Sequence, residues 1–191
     1  MHKKNKRIKE KNKRIKNLLV TNNLLAKLYI FEIDNSYHDF LSGLLNRRGF
    51  FYYLSLIKGA YIISLIDIDF FKSINDTLGH LKGDASIILV SNLLNQVFKS
   101  DNTIISRFGG DEFLLLSKDL SIKALLNKLN YLKDIIFKKS KVEIGTSITI
   151  SIGVAYCNDK DTFDDVFSKV DKALYTSKIN GKNTITLYGI V

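Results

Sequence analysis

Two apolar segments joined by a very short connection place the strongest constraint on how this chain folds. TIISRF (103–108) and EFLLLS (112–117) are separated only by Gly109, Gly110 and Asp111. So short a connection predicts a β-hairpin, because a parallel pair of strands needs a crossover of about a dozen residues. We expect the two glycines to allow a positive φ and to leave room for a ligand at the tip of the hairpin.

The segments on either side of this hairpin alternate between helical and strand-like patterns. Gly, Asn and Asp carry the turn chemistry, since the chain has no proline. The order of segments predicts an α+β domain with helices packed against an antiparallel or mixed sheet. We expect helices at 46–59, 70–79, 83–98, 121–138 and 162–180, and further strands at 60–68, 148–156 and 184–188.

A basic N-terminal segment, residues 1–36, precedes the domain predicted for residues 37–191. KNKRIKE (4–10) is followed directly by KNKRIKN (11–17), which is a seven-residue repeat. A heptad repeat predicts a short coiled coil with a buried asparagine that fixes its register, and a solvated helix that pairs with nothing fits the pattern equally well. The repeat assigns two sets of residues to the seam: Ile8, Ile15, Asn22 and Tyr29, and Lys11, Leu18 and Leu25.

The positive charge of the chain is concentrated in this N-terminal segment. The net charge of the whole chain is +10, and residues 1–16 alone contain nine of the 29 Lys and Arg residues. Positions 17–191 hold 20 basic and 18 acidic residues and are therefore almost neutral. Nucleic acid is not an expected partner of the domain. Binding of the basic segment to nucleic acid or anionic lipid is a weaker interpretation than a coiled coil or a solvated helix.

The sequence favours a reducing, cytoplasmic location. Cys157 is the single cysteine, so no intrachain disulfide can form. No apolar run approaches the roughly 18 residues that a membrane span requires, and no signal-peptide pattern is present. A location at the inner face of a membrane, through the basic segment or an upstream element, stays open.

Four acidic residues are predicted to meet at one end of the sheet. Asp67 and Asp69 end the apolar run YIISLIDID and point to the same face by strand alternation, while Asp111 and Glu112 lie at the hairpin tip. Clustered carboxylates repel one another unless a cation lies between them, and hard oxygen ligands favour Mg²⁺ or Mn²⁺. The helix start in FFKSIN offers N–H groups and Lys72 to phosphate. Together these features predict phosphoryl or nucleotidyl transfer from a nucleoside triphosphate.

The chain contains five motifs in order, which are DFLSGLLNRRGF (39–50), DIDFFKSINDTLGHLKGD (67–84), RFGGDEF (107–113), SIGVA (151–155) and DKALYTSKINGKN (171–183). Together they resemble the GGDEF domain family of diguanylate cyclases over about residues 39–188. Ser42 stands where the first motif of the family has threonine.

This resemblance implies a fold, a reaction and a metal site. The fold is a ferredoxin-like or palm-type sheet of about five strands, and the reaction condenses two GTP into cyclic di-GMP with release of two pyrophosphates. Asp67, the carbonyl of Ile68 and Asp111 would bind Mg²⁺ or Mn²⁺, two ions per active site, with Glu112 assisting. Asp111 would accept the proton of the attacking 3′-hydroxyl, and Lys72 would stabilise charge in the transition state.

The resemblance also implies a GTP site. Asn75 and Asp84 match the positions that read the guanine edge, and His80 lies in the same loop. The phosphate loop corresponds to Phe70, Phe71 and Lys72. Lys178 and Lys182 are four residues apart, which predicts one helix face for both, and they match the Lys and Arg that hold the triphosphate. Lysine in the second position predicts weaker binding of the triphosphate, because an ammonium is a point charge and cannot bind phosphate through two parallel hydrogen bonds as a guanidinium does.

One regulatory site of the family is missing from the sequence. Many members carry an R-x-x-D motif before the signature, where the product binds and inhibits. Ser100 and Thr103 occupy these two positions here. Strong product inhibition through that site is therefore not expected.

The sequence as a whole predicts an active diguanylate cyclase that works as a homodimer, with one GTP per protomer. The N-terminal helix would link the two protomers and connect them to an upstream sensor or membrane element. The alternative is a catalytically silent GGDEF domain that binds GTP or cyclic di-GMP as a regulatory module. A cyclase with a mixed dinucleotide product is a further alternative, against which Asp84 argues.

Overall fold

The computed structural model describes residues 14, 16–28, 32, 36–99, 101–158 and 160–189. The chain divides into two compact units, Met1–Ser36 and Tyr37–Val191. Within the described part of the chain, no helix is both long enough and apolar enough to cross a lipid bilayer.

In the first unit, residues 16–28 form helix α1. This helix contains Leu18, Asn22 and Leu25 of the predicted seam, whereas Ile8, Lys11, Ile15 and Tyr29 lie outside the described residues. The apolar side chains of α1 are more than half exposed, and they are Leu18, Leu19, Val20, Leu24, Leu25 and Leu28. Whether they pair with a second copy of the helix stays a prediction.

The second unit is a five-stranded mixed sheet with helices packed on both faces, which confirms the predicted fold class. Its strands are β1 (Tyr61–Ile68), β2 (Thr103–Arg107), β3 (Glu112–Ser117), β4 (Ile150–Cys157) and β5 (Ile185–Leu187). Its helices are α2 (Arg47–Leu54), α3 (Phe71–Leu78), α4 (His80–Phe98), α5 (Ile122–Glu143) and α6 (Phe163–Ile179).

Strand β1 lies at the centre of the sheet, whose order is β2-β3-β1-β4-β5. It pairs antiparallel with both β3 and β4, and every one of its residues is buried. Strands β2 and β3 form the predicted hairpin, and β5 pairs parallel with β4. The central position explains the unbroken apolar run, because side chains on both faces of β1 are covered.

Alternation along β1 divides the core into two clusters. Ile62, Ile66 and Ile68 belong to the cluster that includes α4 and α5, whereas Ile63 and Leu65 belong to the cluster that includes α6 and Phe50 of α2. Asp67 continues the second set by strand alternation. The C-terminal end of β1 is thus held between two packed layers.

A close approach between α6 and β4 fixes the position of α6 on the sheet. A Cβ at Gly153 of β4 would overlap the backbone of Val170 and Leu174 in α6. Only glycine allows this contact, and the contact brings the C-terminal end of α6 near the end of β1. The N-terminus of α6 begins with a capping box formed by Thr162 and Asp165.

The observed helix ends differ from the predicted ones by more than one residue in three places. Helix α2 ends at Leu54 rather than 59, and α5 continues past 138 to Glu143. Helix α4 begins at His80 rather than at 83, because the chain breaks at Gly79, whose φ is 84°. Gly83 instead lies inside the helix, where the absence of a side chain leaves room for Asn75.

Candidate active site

The end of β1 and the tip of the β2–β3 hairpin meet, as predicted. Asp67 is directly opposite Glu112 of β3 and Ser151 of β4 in the sheet register. The backbone N–H of Ile68 donates to the carbonyl of Asp111 at 3.2 Å. We call Asp67, Asp111 and Glu112 the carboxylate face.

The hairpin tip does not use the positive φ that its two glycines permit. Neither Gly109 nor Gly110 adopts one. The tip closes through the N–H groups of Phe108 and Gly109, which donate to the carbonyl of Glu112 at 2.8 and 3.4 Å. A Cβ at Gly109 would contact the Glu112 carboxylate at 3.1 Å, and one at Gly110 would meet nothing. Gly109 therefore keeps the space beside the Glu112 carboxylate open, which is the second role predicted for the glycines, whereas Gly110 has no such effect.

Arg107 holds the hairpin tip in place. Its Nε and Nη2 donate to the carbonyl of Gly110 at 3.0 and 2.7 Å, and its Nη1 donates to Asp39 at 3.0 Å. Burial raises the pKa of Asp39, but hydrogen bonds from Ser42 and the charge of Arg107 outweigh burial and lower it overall. Sequence reasoning gave Arg107 and Asp39 no role, because 68 residues separate them.

Burial and mutual repulsion disfavour the charged forms of Asp67 and Glu112 in the carboxylate face. Burial raises the pKa of Asp67, and the nearby charges of Asp111 and Asp69 raise it further, whereas Lys178 lowers it. Burial also raises the pKa of Glu112, followed by the charges of Asp67 and Asp111. A concentration of like charges at this depth is typical of a functional site rather than of a stabilising network.

The carboxylate face fits a divalent cation that brings further ligands with it. Among the residues that the structure describes, no three Asp, Glu, His or Cys side chains are close enough together to hold a metal. Mg²⁺ is commonly bound in proteins through one or two carboxylates together with substrate phosphates. The oxygen donors of Asp67 and Asp111, with the backbone carbonyl of Ile68, match that chemistry better than a complete protein cage.

Asp69 has a different environment although it is only two residues from Asp67. Its carboxylate accepts hydrogen bonds from the hydroxyls of Ser151 and Thr149 at 2.7 and 2.8 Å, and from the backbone N–H of Asn183 at 3.0 Å. We call these four residues the Asp69 pocket. Asp69 is buried, and its three donors fix the loop after α6 to the end of the sheet.

The predicted phosphate loop begins with strained backbone at Phe70. Phe70 has a φ of 58° and an exposed ring, and no side chain caps the N-terminus of α3 that follows it. The first N–H groups of α3 are therefore not satisfied by a side-chain cap. Lys72 is exposed on the same turn, while Phe71 packs against the core and anchors the loop.

Lys178 and Lys182 do not share one helix face, so that prediction is wrong. Helix α6 ends at Ile179, and Gly181 and Lys182 both have positive φ, so the chain turns away from the helix axis. The N–H of Lys182 donates to the carbonyl of Ser177 at 3.1 Å, which closes this turn. The ammonium of Lys178 lies 2.7 Å from Asp67 Oδ2, and that of Lys182 lies 3.8 Å from the centre of the Phe70 ring.

The residues predicted to read guanine cluster around the α3–α4 junction. Asn75 is half-buried on α3, and a Cβ at Gly83 would overlap its Oδ1. Glycine at 83 thus allows the Asn75 carboxamide to lie directly against α4. His80 and Asp84 are exposed on the first turns of α4.

Comparison with known proteins agrees with this geometry. The family described as "Diguanylate cyclase, GGDEF domain" matches residues 36–184. The chain belongs to the GGDEF diguanylate cyclase family. It is 35% identical over 159 residues to diguanylate cyclase DgcM of Escherichia coli, and 38% identical over 133 residues to diguanylate cyclase A of Treponema denticola. These matches cover 78% and 68% of this chain, but only 38% and 36% of the two relatives.

A solved structure of the same family shows the same fold. The coiled coil and GGDEF domain of DgcB from Caulobacter crescentus, in complex with c-di-GMP, superposes with a TM-score of 0.83 at 25% identity. The match covers 91% of this chain and 97% of the DgcB chain.

The positions that correspond to the family's inhibitory motif lie at and just before the start of β2. Thr103 is the first residue of β2, and Ser100 lies outside the described residues. A cavity of about 760 Å³ lies along β2 and α4, and its lining includes Thr103 and Asp101 but no member of the carboxylate face. A cavity of about 430 Å³ beside α6 is lined by Glu112 and Lys178 among others. The second cavity therefore contains two of the predicted site residues, whereas the first contains none of the carboxylate face.

Proposed function

We propose that this chain is an active diguanylate cyclase that condenses two GTP into cyclic di-GMP and two pyrophosphates. The observation that carries the proposal is the pairing of Asp67 with Glu112 across β1 and β3, next to Asp111 in the chain. The uncapped helix α3 begins four residues after Asp67. This supports the proposal, because acids suited to a cation and N–H groups that no side chain caps are close together in the chain.

The chemistry assigns a role to each side chain of the carboxylate face. In each of two equivalent steps, the 3′-oxygen of one GTP bonds to the α-phosphorus of the other, the bond to pyrophosphate breaks, and the 3′-hydroxyl loses its proton. Asp111 accepts that proton, and Lys72 stabilises the charge that develops on the phosphates. Asp67, the Ile68 carbonyl, Asp111 and Glu112 would hold two Mg²⁺ or Mn²⁺ ions, which supply charge neutralisation at the phosphates.

Nucleotide selection in this proposal depends on α3 and α4. Asn75 and Asp84 read the guanine edge, with His80 in the same loop. An aspartate can accept from the adjacent N1–H and N2–H₂ donors of guanine, and adenine has no such pair. Phe70 and Phe71 contribute backbone to the phosphate loop, and Lys178 and Lys182 hold the triphosphate.

Catalysis requires two protomers, because each domain holds one GTP. The exposed leucines of α1 support a parallel helix pair that would raise the effective concentration of the two sites. The similar DgcB structure also joins a coiled coil to its GGDEF domain. We place the enzyme in the cytoplasm, with the basic segment available to the inner face of a membrane or to an upstream sensor.

Product analysis tests this proposal directly. The purified chain is incubated with GTP and Mg²⁺, and in parallel with an equimolar mixture of GTP and ATP, and products are identified by liquid chromatography and mass spectrometry. We expect cyclic di-GMP in both reactions and no mixed dinucleotide. Asp111→Ala should reduce turnover by about a thousandfold, whereas Asp134→Asn, on the exposed face of α5, should leave it unchanged. No product even at high protein concentration would favour the silent GTP-binding module instead.

A further inference from the structure

The ion pair between Lys178 and Asp67 joins two residues to which the proposed function gives separate ligands. Lys178 Nζ lies 2.7 Å from Asp67 Oδ2, with side chains that are 35% and 10% exposed. In the proposed function, Lys178 binds the triphosphate and Asp67 binds the divalent cation. One short contact therefore engages both binding groups at the same time.

We propose that Lys178 is a built-in counter-cation for Asp67, which an incoming divalent cation displaces and which then moves to the triphosphate. The cation and the nucleotide would consequently bind together, each making the site more favourable for the other. This inference rests on the proposed function, because it assigns an order of events to the same site.

The charges around Asp67 explain why a resident cation is needed. Asp67 is buried and faces Glu112 in the sheet register, and the charge of Asp111 is also close enough to raise its pKa. A buried carboxylate among like charges is costly unless it is paired. Lys178 provides that pairing, so a divalent cation gains Asp67 only at the expense of an existing ion pair.

The ligand count supports binding of the cation together with phosphate. In the described part of the chain, no three candidate side chains form a metal cage, so the carboxylate face is a weak site for a free ion. Phosphate oxygens would complete the coordination, and they would also give the displaced ammonium of Lys178 a new partner. The loss of one ion pair is then offset within the same binding event.

The position of Lys178 allows this exchange without movement of the backbone. It lies in the last turn of α6 and lines the cavity of about 430 Å³ together with Glu112. A lysine ammonium is a compact charge on a flexible stem, so rotation about side-chain bonds can carry it from Asp67 into this cavity. An arginine fork, with its fixed planar geometry, would exchange partners less readily.

Lys182 provides a matched control because it differs from Lys178 in this one property. It is the second lysine assigned to the triphosphate, but its ammonium rests on the Phe70 ring rather than on a carboxylate. Removing Lys182 should weaken nucleotide binding without changing how tightly the site holds a cation alone.

Binding of Mn²⁺ alone, followed by electron paramagnetic resonance of free Mn²⁺, tests the proposal without any turnover. We expect Lys178→Met to bind Mn²⁺ roughly tenfold tighter than the unmodified chain. Lys182→Met should match the unmodified chain, since Lys178 still lies beside Asp67. Lys178→Arg should bind Mn²⁺ no more tightly than the unmodified chain, because it also keeps a cation there and exchanges it less readily. With a GTP analogue that has a methylene between the α and β phosphorus atoms, Mn²⁺ affinity should rise more in the unmodified chain than in Lys178→Met.

Two results would overturn the inference. The first is equal or weaker Mn²⁺ binding by Lys178→Met in protein whose circular dichroism shows a native fold. The second is an equal gain for Lys182→Met, which would point to a general charge effect instead of exchange at Asp67. Failure of the proposed function is a separate result, because it appears as absence of cyclic di-GMP while the Mn²⁺ comparison still gives its answer.

Discussion

The carboxylate face and the Asp69 pocket begin two residues apart on the chain, yet they satisfy their buried acids in opposite ways. Asp69 accepts three hydrogen bonds from neutral donors, which are Ser151 of β4, Thr149 just before it and Asn183 in the loop after α6. Asp67 is paired with one lysine and faces further carboxylates. Fixed neutral donors make the first acid a structural joint, whereas the second acid depends on a single flexible cation and can exchange it for a ligand.

The comparison shows that burial alone does not identify a functional acid. Asp69 is 2% exposed and Asp67 is 7% exposed, so exposure separates them hardly at all. What separates them is whether the hydrogen-bonding capacity of the carboxylate is already filled. A filled carboxylate stabilises the fold, and an incompletely filled one is available for chemistry.

The largest expected difference between the two regions is in turnover. Asp67→Asn removes a charge from the carboxylate face with little change in volume, and we expect activity to fall by about a hundred- to a thousandfold. The unfolding free energy should change by less than about 1 kcal/mol, because repulsion from Glu112 is relieved as the ion pair is lost. Steady-state cyclic di-GMP formation and urea denaturation measure the two quantities. A variant that kept more than a tenth of the activity would remove Asp67 from the cation site.

The second effect is on stability and concerns the Asp69 pocket. Asp69→Ala leaves the hydroxyls of Ser151 and Thr149 and the N–H of Asn183 without their acceptor, so we expect a loss of roughly 3 kcal/mol in urea denaturation. Asp69→Asn retains the volume and part of the accepting capacity, and it should lose less. If both variants were as stable as the unmodified chain, the pocket would not be the structural joint described here.

The third effect is smaller and depends on pH. Because burial and neighbouring charges raise the pKa of Glu112 above 4.5, its ionised form opposes folding at neutral pH. We expect Glu112→Gln to be more stable at pH 7 by less than about 1 kcal/mol, since the group is partly screened by solvent. The difference should shrink as pH falls through the raised pKa towards 4.5.

Asp165 serves as a control with the opposite sign, because its pKa is lowered whereas that of Glu112 is raised. Hydrogen bonds from Thr162 lower the pKa of Asp165 below 3.8, so its ionised form favours folding at neutral pH. Asp165→Asn should therefore be the less stable protein at pH 7, and its deficit should disappear as pH falls through the lowered pKa. Denaturation curves of both variants across this range that showed the same sign would contradict the electrostatic account of the carboxylate face.

The smallest expected effect tests how the loop beside the Asp69 pocket holds Lys182. Its ammonium lies over the Phe70 ring, so a double-mutant cycle of Phe70→Leu with Lys182→Met should give a coupling of about 0.5 kcal/mol in unfolding free energy. The same cycle with Lys72→Met serves as the control and should give none. Equal coupling in both cycles would mean that the ring contact is not specific.

The sequence predicted the fold well and the contacts around the candidate site poorly. The hairpin between β2 and β3 and the central apolar strand β1 were predictable, because connection length and hydrophobic pattern are local properties. The roles of Arg107 and Asp39 were not, since the ion pair joins residues that are distant in the chain. The expected helix face for Lys178 and Lys182 was wrong, because the turn at Gly181 ends α6 before Lys182.

The amino-acid sequence by itself determined which elements form and which residue types are available at the ends of β1 and β3. The tertiary structure decided how the charges of these residues are satisfied. Asp67 and Asp69 have the same side chain on the same strand end, and only the packing of β4 and α6 gives one of them neutral donors and the other a lysine. Hydrogen bonding acts over about 3 Å in space, and separation along the chain does not reveal which groups will come that close.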